Sequence, residues 1–291
     1  MNAKAKKRIR FFVAFAILTI AFAVISVLSA RWLRVDEHRV YFDDLPAHLQ
    51  GLRILHISDL HSDHPERMNV NIWRHIDELD FDIAVITGDI ITDNFWPMAG
   101  PINDLDPHKP YLAALAQRVP TFFVEGNHEV RTVHLIKQIM EDLGITFLFN
   151  EVYHLEINGG MLEVVGTRDH SVLRRELVNQ SREIVQNLLI GDSDFRLVLT
   201  HQPQVFDYIS DMGQMLVLAG HSHGGQLRMP FLPVIYAPDQ GFFPAYGAGF
   251  YHNENATLYV STGVGVTYFR WRFWNRPVIT IHELQSTQTA N

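Results

Sequence analysis

The side chains that could bind a metal ion directly follow apolar runs of the sequence. Asp59 and His61 are two residues apart, so in an extended chain both side chains point the same way and can hold one ion. Gly88 lets the backbone come close to whatever the next residue, Asp89, binds. Carboxylate, amide and imidazole ligands without thiolate suit divalent metal ions. The full set of such segments is Asp59-Leu60-His61, Gly88-Asp89, Gly126-Asn127-His128-Glu129, His201 and His221-Ser222-His223-Gly224-Gly225.

Each of these segments alone has an ordinary structural explanation. A Gly-Asp pair after a strand is often a turn or a cap, and a lone histidine such as His201 is more often a core or surface residue than a ligand. Their common placement is more informative, because ligand sites in open α/β sheets gather at the carboxyl ends of strands. Five such segments, each following a predicted strand, indicate one shared metal site.

The elements that position these groups alternate between strands and helices. Residues 130–143 have apolar side chains at helical spacing, which predicts an amphipathic helix. The Pro-, Asp- and Asn-rich stretch 94–110 is predicted to be an exposed loop. This alternation is typical of an α/β fold. Strands are predicted at 52–57, 83–87, 121–124, 162–165, 195–200, 215–219, 257–260 and 278–281.

The first thirty residues have the pattern of a membrane segment. Residues 11–30 carry no charge, and as a helix they would just span a hydrocarbon core of roughly 30 Å. Five basic residues precede this stretch and three follow it, which favours a cytoplasmic N-terminus and an extracytoplasmic domain. A cleaved signal peptide with a small-residue site at 27–29 is the alternative. The length of the run, and Trp32 between Arg31 and Arg34, favour a retained single-pass anchor in the cell membrane.

The amino-acid composition indicates a globular domain and excludes several kinds of partner and site. The 291 residues are 47% hydrophobic, enough for a single domain with a substantial core. A net charge of -8 argues against nucleic acid as a partner, and the absence of cysteine excludes disulfides, thiolate metal sites and cysteine nucleophiles. There is also no H-E-x-x-H metalloprotease motif. The expected organisation is a basic segment 1–10, a transmembrane helix 11–30, a connector 31–50, a catalytic domain 51–285 and a tail 286–291.

Taken in order, Asp59-x-His61, Gly88-Asp89, Gly126-Asn127-His128, His201 and Gly220-His221-x-His223 resemble the motifs of the calcineurin-like metallophosphoesterase superfamily. The resemblance spans residue 52 to about residue 283. It implies a four-layer α/β/β/α sandwich and a hydrolase of phosphodiester or pyrophosphate bonds. The membrane segment and the Gly-His-Ser-His-Gly-Gly-Gln sequence are similar to a small bacterial membrane-associated branch. Some members of that branch cleave UDP-2,3-diacylglucosamine in lipid A biosynthesis.

The resemblance also implies a role for each motif residue. It assigns Asp59, His61 and His223 to a first metal, and Asn127, His201 and His221 to a second. It makes Asp89 the bridge between the two metals and leaves His128 for catalysis. One departure is Ser62-Asp63-His64, where many relatives have a glycine, and we expect Asp63 and His64 to face water.

Simple charge counting supports a phosphate substrate. Two divalent ions with two carboxylates leave a site of about plus two, which attracts a phosphate anion. Mixed nitrogen and oxygen ligands suit Mn, Fe or Zn better than Mg or Ca, and we favour Mn. The competing hypothesis is a non-catalytic scaffold or binding protein with the same fold. The presence of every ligand and of His128 favours the enzyme, while oligomeric state is left open.

Two aromatic-rich segments follow the last histidine motif. Residues 267–276 interleave three arginines with aromatics, a pattern that fits either a phosphate- and lipid-contacting surface or a core strand with a basic face. Because a nearby arginine of the family commonly faces the metals, Arg270 and Arg272 are candidate substrate-binding residues. The aromatics between 242 and 250 either line the same mouth or simply pack.

Overall fold

The computed structural model describes residues 3–61, 72–92, 105–169, 175–225, 227–229, 231–265 and 272–289. The predictions for Asp63, His64 and Arg270, and most of the predicted loop 94–110, lie outside these residues.

A first mixed sheet has the strand order β1-β14-β2-β3-β4-β5. Strands β2 to β5 run parallel, whereas β14 is antiparallel to β2 and parallel to β1. The parallel strands therefore bring their carboxyl ends to one edge. The strands of this sheet are β1 Arg34–Phe42, β2 Arg53–Ile57, β3 Ile83–Thr87, β4 Thr121–Val124, β5 Thr146–Phe147 and β14 Val278–Ser286.

A second mixed sheet has the order β12-β13-β9-β8-β7-β6. Its four central strands are parallel and its two edge strands are antiparallel to their neighbours. The strands are β6 Glu151–Ile157, β7 Gly160–Gly166, β8 Arg196–Leu199, β9 Met215–Ala219, β12 Gly249–His252 and β13 Ala256–Val260. A separate short hairpin consists of β10 Tyr236–Ala237 and β11 Gly241–Phe242.

Three apolar clusters separate four layers. The middle cluster joins the two sheets, for example through Phe122 of β4 and Leu197 of β8. A second cluster packs helices on the outer face of the first sheet, and a third does so on the second sheet. The α/β/β/α sandwich expected from the sequence is therefore confirmed. The helices are α1 Ala3–Arg31, α2 Ile72–Asp77, α3 Lys109–Arg118, α4 Val133–Asp142, α5 Arg175–Leu188 and α6 Phe206–Ile209.

The sequence did not reveal the strand within residues 31–50. The segment predicted as a connector contains β1, which pairs with β14 along nine residues. Only one face of this edge strand is buried, so Arg34, Asp36 and Glu37 are partly or fully exposed. Because of these charged residues the segment lacks the apolar run by which the other strands were predicted. The globular domain therefore begins near Arg34 in the structure.

The N-terminal helix α1 is apolar and mostly exposed. Its most apolar window has a mean hydropathy of 2.8, with 6% of that window buried. It is long enough to cross a membrane, and a signal sequence near the N-terminus would have the same features. The helix contacts the domain through Phe22, whose ring stacks on Phe273 at 4.7 Å, and through Ser29, whose Oγ accepts from the Trp274 N–H.

Three histidines lie close together between the two sheets, away from the motif histidines. The His282 ring lies 5.6 Å from that of His38 and 5.9 Å from that of His56, and 4.6 Å from the Tyr259 ring. Burial lowers the pKa of His56 to about 3 and lowers the pKa values of His282 and His38. The folded state therefore holds these imidazoles neutral.

We expect this cluster to make the fold sensitive to acid. Below the ordinary histidine pKa of about 6.5, the unfolded chain binds protons that the folded chain does not. The free energy of unfolding should then fall as the pH drops, by about 1.4 kcal/mol per pH unit for each of the two fully buried histidines, His56 and His282. In urea unfolding with EDTA between pH 7 and 5, His282→Phe should show a shallower fall than the parent protein, and the exposed His154→Phe should not. Equal slopes for the parent protein and His282→Phe would contradict this account.

Candidate metal centre

The predicted metal ligands and His128 all follow strands whose ends meet where the two sheets face each other. In the first sheet, Asp59 and His61 follow β2, Asp89 follows β3, and Asn127 and His128 follow β4. In the second sheet, His201 follows β8, and His221 and His223 follow β9. Contacts across the gap join the two sets, because the His221 N–H donates to both oxygens of Asp59 at 3.1 and 3.2 Å.

One group of possible ligands consists of Asp59, His61, Asp89 and His223, each offering one atom within 4.8 Å of the others. The Nε2 atoms of His61 and His223 face each other at 3.0 Å. His223 Nε2 lies 3.4 Å from Asp59 Oδ1, and His61 Nε2 lies 3.7 Å from Asp89 Oδ2. All four residues are buried.

A second group consists of Asp89, His201 and His221. His201 Nε2 lies 3.2 Å from Asp89 Oδ2 and 3.2 Å from His221 Nδ1. The same Nε2 lies 3.2 Å from the amide oxygen of Asn127, which adds a neutral oxygen ligand. Asp89 belongs to both groups, so its carboxylate stands between two possible metal positions.

Hydrogen bonds orient the second group for metal binding. His201 Nδ1 lies 2.7 Å from the Thr87 carbonyl oxygen, which can only accept, so Nδ1 carries a proton and Nε2 is the atom that faces Asp89. His221 Nε2 lies 2.9 Å from Asp239 Oδ2, which leaves Nδ1 to face the site. Such outer partners are the usual means by which proteins fix the ring of a metal-binding histidine.

The charge states also suit cations. Burial lowers the pKa of His61 to about 3 and the pKa of His223 well below its usual value, so both rings are neutral and can act as ligands. Burial alone would raise the pKa of Asp89, but the neighbouring His201 holds that pKa well below its usual range. Neutral rings of His61 and His223 and an ionised Asp89 carboxylate suit a divalent transition ion at the first group. Burial alone would lower the pKa of His201, but Asp89 raises it well above its usual value, so His201 must lose a proton before it can act as a ligand.

The backbone at the site is held in an unfavourable conformation. Asp59, His61, Asp89, His221 and His223 all have positive φ, between 47° and 68°. Non-glycine residues adopt this region at a cost that the surrounding structure must offset, and such residues cluster at functional sites. The Glu129 carboxyl group stabilises the turn at Asp89 by accepting the backbone N–H groups of Asp89 and Ile91, and it also accepts the Gly126 N–H, at 2.7 to 3.0 Å.

His128 borders both groups and belongs to neither. Its Nε2 lies 3.9 Å from Asp89 Oδ2, and its ring packs edge-on against His61 at 5.0 Å. The His128 N–H donates to Asp89 Oδ1 at 3.0 Å, which fixes the backbone beside the shared carboxylate. With 10% of its side chain exposed, His128 can meet a molecule that enters the site.

Comparison with known proteins decides the family. The family model described as calcineurin-like phosphoesterase matches residues 52–225, which contain all the residues of both groups. The chain belongs to the calcineurin-like phosphoesterase family. This phosphoesterase is 30% identical to phosphodiesterase YaeI of Escherichia coli, over 87% of this chain and 88% of that protein.

Two further relatives match most of their own length. The uncharacterized metallophosphoesterase YkoQ of Bacillus subtilis is 27% identical over 83% of this chain and 86% of its own. The UDP-2,3-diacylglucosamine pyrophosphatase LpxG of Chlamydia trachomatis is 27% identical over 81% of this chain and 84% of its own. The expected recognition of the family and of a hydrolase acting on phosphoester bonds is thereby confirmed.

Arg272 occupies a different position from the one expected of a substrate-binding residue in this phosphoesterase. Its side chain is fully buried, and the guanidinium donates to the carbonyl oxygens of Thr262, Gly263 and Gly265. These bonds hold the loop whose Gly265 N–H bonds the Asp59 carbonyl oxygen. Arg272 therefore supports the loop beneath the first group, and its side chain is not exposed to solvent.

Asp239, Glu129 and Asn275 also support the site, and the sequence analysis assigned no role to any of them. Asp239 lies in the turn of the β10–β11 hairpin and contacts His221. The Asn275 amide donates to the His223 carbonyl oxygen at 2.6 Å. Glu129 directly follows the Gly126-Asn127-His128 motif and could have been recognised by that position, whereas the other two depend on contacts across distant parts of the chain.

We expect Asp239→Ala to weaken metal binding without unfolding the protein. Loss of the carboxylate frees the His221 ring to rotate, and removal of such a partner typically lowers metal affinity about 10- to 100-fold. Competition with a chelator measures this, and the exposed Asp192→Ala serves as the matched control. An affinity equal to that of the parent protein would show that Asp239 does not position His221.

Proposed function

We propose that this phosphoesterase is a membrane-anchored dinuclear enzyme that hydrolyses a phosphodiester or pyrophosphate bond in a lipid-linked substrate. The observation that carries the proposal is the pair of ligand groups that share Asp89, with His128 beside them. Membership of the family makes the chain a hydrolase of phosphoester bonds. With metal ions bound, the site would offer cations beside an accessible imidazole, which are what cleavage of an anionic phosphate ester requires.

The proposed ligands are distributed over two positions. Asp59, His61 and His223 would hold one divalent ion, Asn127, His201 and His221 the other, and Asp89 both. When bound, the two ions supply Lewis acidity, neutralise phosphate charge and lower the pKa of water. We favour Mn over Fe and Zn, since nitrogen and oxygen ligands are mixed.

His128 is proposed as the catalytic side chain. Its Nε2 stands at the edge of the shared carboxylate, and its ring is partly exposed. From there it can donate a hydrogen bond to a phosphoryl oxygen or give a proton to the leaving oxygen. The neighbouring His61 ring and the N–H bond to Asp89 hold it in place for either task.

A lipid-linked substrate is favoured by the relatives and by the N-terminal helix. The relative LpxG is named as a pyrophosphatase of UDP-2,3-diacylglucosamine, a nucleotide-linked molecule with two acyl chains. Helix α1 is long and apolar enough to span a bilayer, and we propose that it is retained as an anchor. An anchored enzyme stays within reach of a substrate that does not leave the membrane. The basic residues before the helix favour an extracytoplasmic domain.

Turnover by the full-length protein in detergent tests the proposal. With added Mn, we expect cleavage of bis-p-nitrophenyl phosphate and of UDP-2,3-diacylglucosamine, with less activity on p-nitrophenyl phosphate. A preparation of Asp89→Asn made in parallel controls for contaminating phosphatases. If the protein neither binds metal nor cleaves any of these substrates, it is a non-catalytic scaffold with this fold, and the proposal fails.

A further inference from the structure

Several large apolar side chains between residues 229 and 243, the segment that contains the β10–β11 hairpin, are exposed. Phe231 is 105% exposed, Phe242 74% and Phe243 72%. We call this group the apolar rim, and it consists of Met229, Phe231, Leu232, Tyr236, Phe242 and Phe243. Soluble proteins rarely expose so many large apolar side chains together, and such surfaces usually contact a partner or a membrane.

The apolar rim is joined to the segment that packs along helix α1. Leu227 forms a β-bridge with Phe273, and the Arg228 N–H donates to the Phe273 carbonyl oxygen at 2.9 Å. The Phe273 ring stacks on Phe22 of the helix at 4.7 Å. The segment 227–228, which leads into the rim, thus contacts Phe273, and Phe273 contacts the helix.

The position of Phe22 along the helix indicates how deep in a membrane this contact would lie. Phe22 lies eight residues before Ala30, the last residue of the apolar stretch, or about 12 Å along the helix axis. A spanning helix would place Phe22 inside the hydrocarbon region, and Phe273 with it. If helix α1 spans the bilayer, the domain therefore contacts the bilayer, because its residues 273–274 pack against turns of the helix that lie within the membrane.

The apolar rim also borders the metal centre. Tyr236 and Phe242 pair across the β10–β11 hairpin, with ring centroids 5.5 Å apart. The turn of the same hairpin carries Asp239, which contacts the possible metal ligand His221 at 2.9 Å. One short hairpin therefore exposes aromatic side chains at its strands and contacts the metal centre at its turn.

We propose that the apolar rim inserts into the interface of the bilayer that holds helix α1, so that the metal centre opens toward lipid headgroups. The occupant is a lipid bilayer because the rim continues from the apolar helix and is rich in aromatic side chains, which favour the membrane interface. Arg276 lies over the Trp32 ring at 5.7 Å at the end of the helix, a pair suited to the headgroup level. Insertion of the rim rests on the membrane anchor of the proposed function, whereas it does not depend on which lipid the enzyme cleaves.

The absence of cysteine allows a direct measurement of depth. Single cysteines at Phe231, Phe242 or Ile190 can each carry a nitroxide in the full-length chain, reconstituted into vesicles of phosphatidylcholine and phosphatidylglycerol. Ile190 is the control, being 72% exposed and next to Gly191, whose carbonyl accepts from Arg196 at the start of β8, the end opposite His201. Electron paramagnetic resonance then compares relaxation by oxygen, which enriches in the bilayer, with relaxation by a water-soluble nickel complex.

Labels at 231 and 242 should favour oxygen, and the label at 190 should favour the nickel complex. Equal nickel access at all three positions would overturn the proposal. Shielding of 231 and 242 from both reagents would also overturn it, since that result indicates a covering protein, such as a second copy of the chain.

Activity assays separate this proposal from the proposed function. The double substitution Phe231→Glu with Phe242→Glu should leave cleavage of bis-p-nitrophenyl phosphate in detergent within about twofold of the parent protein. Cleavage of UDP-2,3-diacylglucosamine in vesicles should fall at least tenfold, and Ile190→Glu should change neither rate. Unchanged vesicle activity of the double variant would overturn a role of the rim in access to lipid. A parent protein inactive on both substrates would refute the proposed function, while the nitroxide labels would still report whether the rim inserts.

Discussion

Asp89→Asn is expected to reduce bound metal from two ions per chain to fewer than one and to lower turnover at least about 10³-fold. Asp89 Oδ2 lies 3.2 Å from His201 Nε2 and 3.7 Å from His61 Nε2, so the same oxygen serves both ligand groups. The asparagine amide keeps the size of the side chain and the acceptor for the His128 N–H. It removes the negative charge that the two ions would share. Elemental analysis and the rate of diester cleavage measure the two effects.

The control for this substitution is Asp142→Asn, an exposed carboxylate at the end of α4. It should keep both the metal content and the rate of the parent protein. Circular dichroism should show that Asp89→Asn is folded, because the other ligands and the buried Glu129 still connect the strand ends. Two ions per chain in Asp89→Asn would show that Asp89 does not bridge metals.

His128→Ala is expected to lower turnover by about 10² to 10⁴-fold while metal content is unchanged. The ring lies next to both ligand groups and is part of neither, so its loss should leave the ions in place. What is lost is the hydrogen bond or proton that the imidazole can give to the substrate. The effect should appear in kcat, because a group that acts mainly in the transition state changes kcat more than KM.

The neighbouring His134 provides the comparison for this substitution. It is an exposed residue of α4 six positions along the chain, and His134→Ala should be indistinguishable from the parent protein. Loss of metal from His128→Ala would instead make His128 a ligand. Full activity with full metal content would remove His128 from the chemistry.

The order of strands and motifs could be predicted from the sequence because each motif is local. The β3 and β9 strands are short, wholly buried apolar runs, and a glycine followed by Asp89 or His221 marks the end of each. Since parallel strands end at one edge, the sequence could place the ligands together without any knowledge of distances. The edge strand β1 lacked this signal, because its mixed charges resemble those of a polar connector.

Other features depend on contacts that a single sequence does not display. Asp239 reaches His221 only because a hairpin 18 residues later folds back over the site. Arg272 was expected at the substrate because an arginine of the family commonly faces the metals, yet the fold buries it beneath the loop at 262–265. The aromatics at 242 and 243 were compatible with plain packing in the sequence, and only the structure shows that their side chains are exposed.

The most direct test of the account is anomalous diffraction at the manganese edge from crystals of the full-length protein loaded with Mn. The account predicts two peaks about 3.5 to 4 Å apart. Asp59, His61 and His223 should surround one peak, and Asn127, His201 and His221 the other, with Asp89 between them. No peak among these side chains in metal-replete crystals, or a single ion that does not touch Asp89, would contradict it.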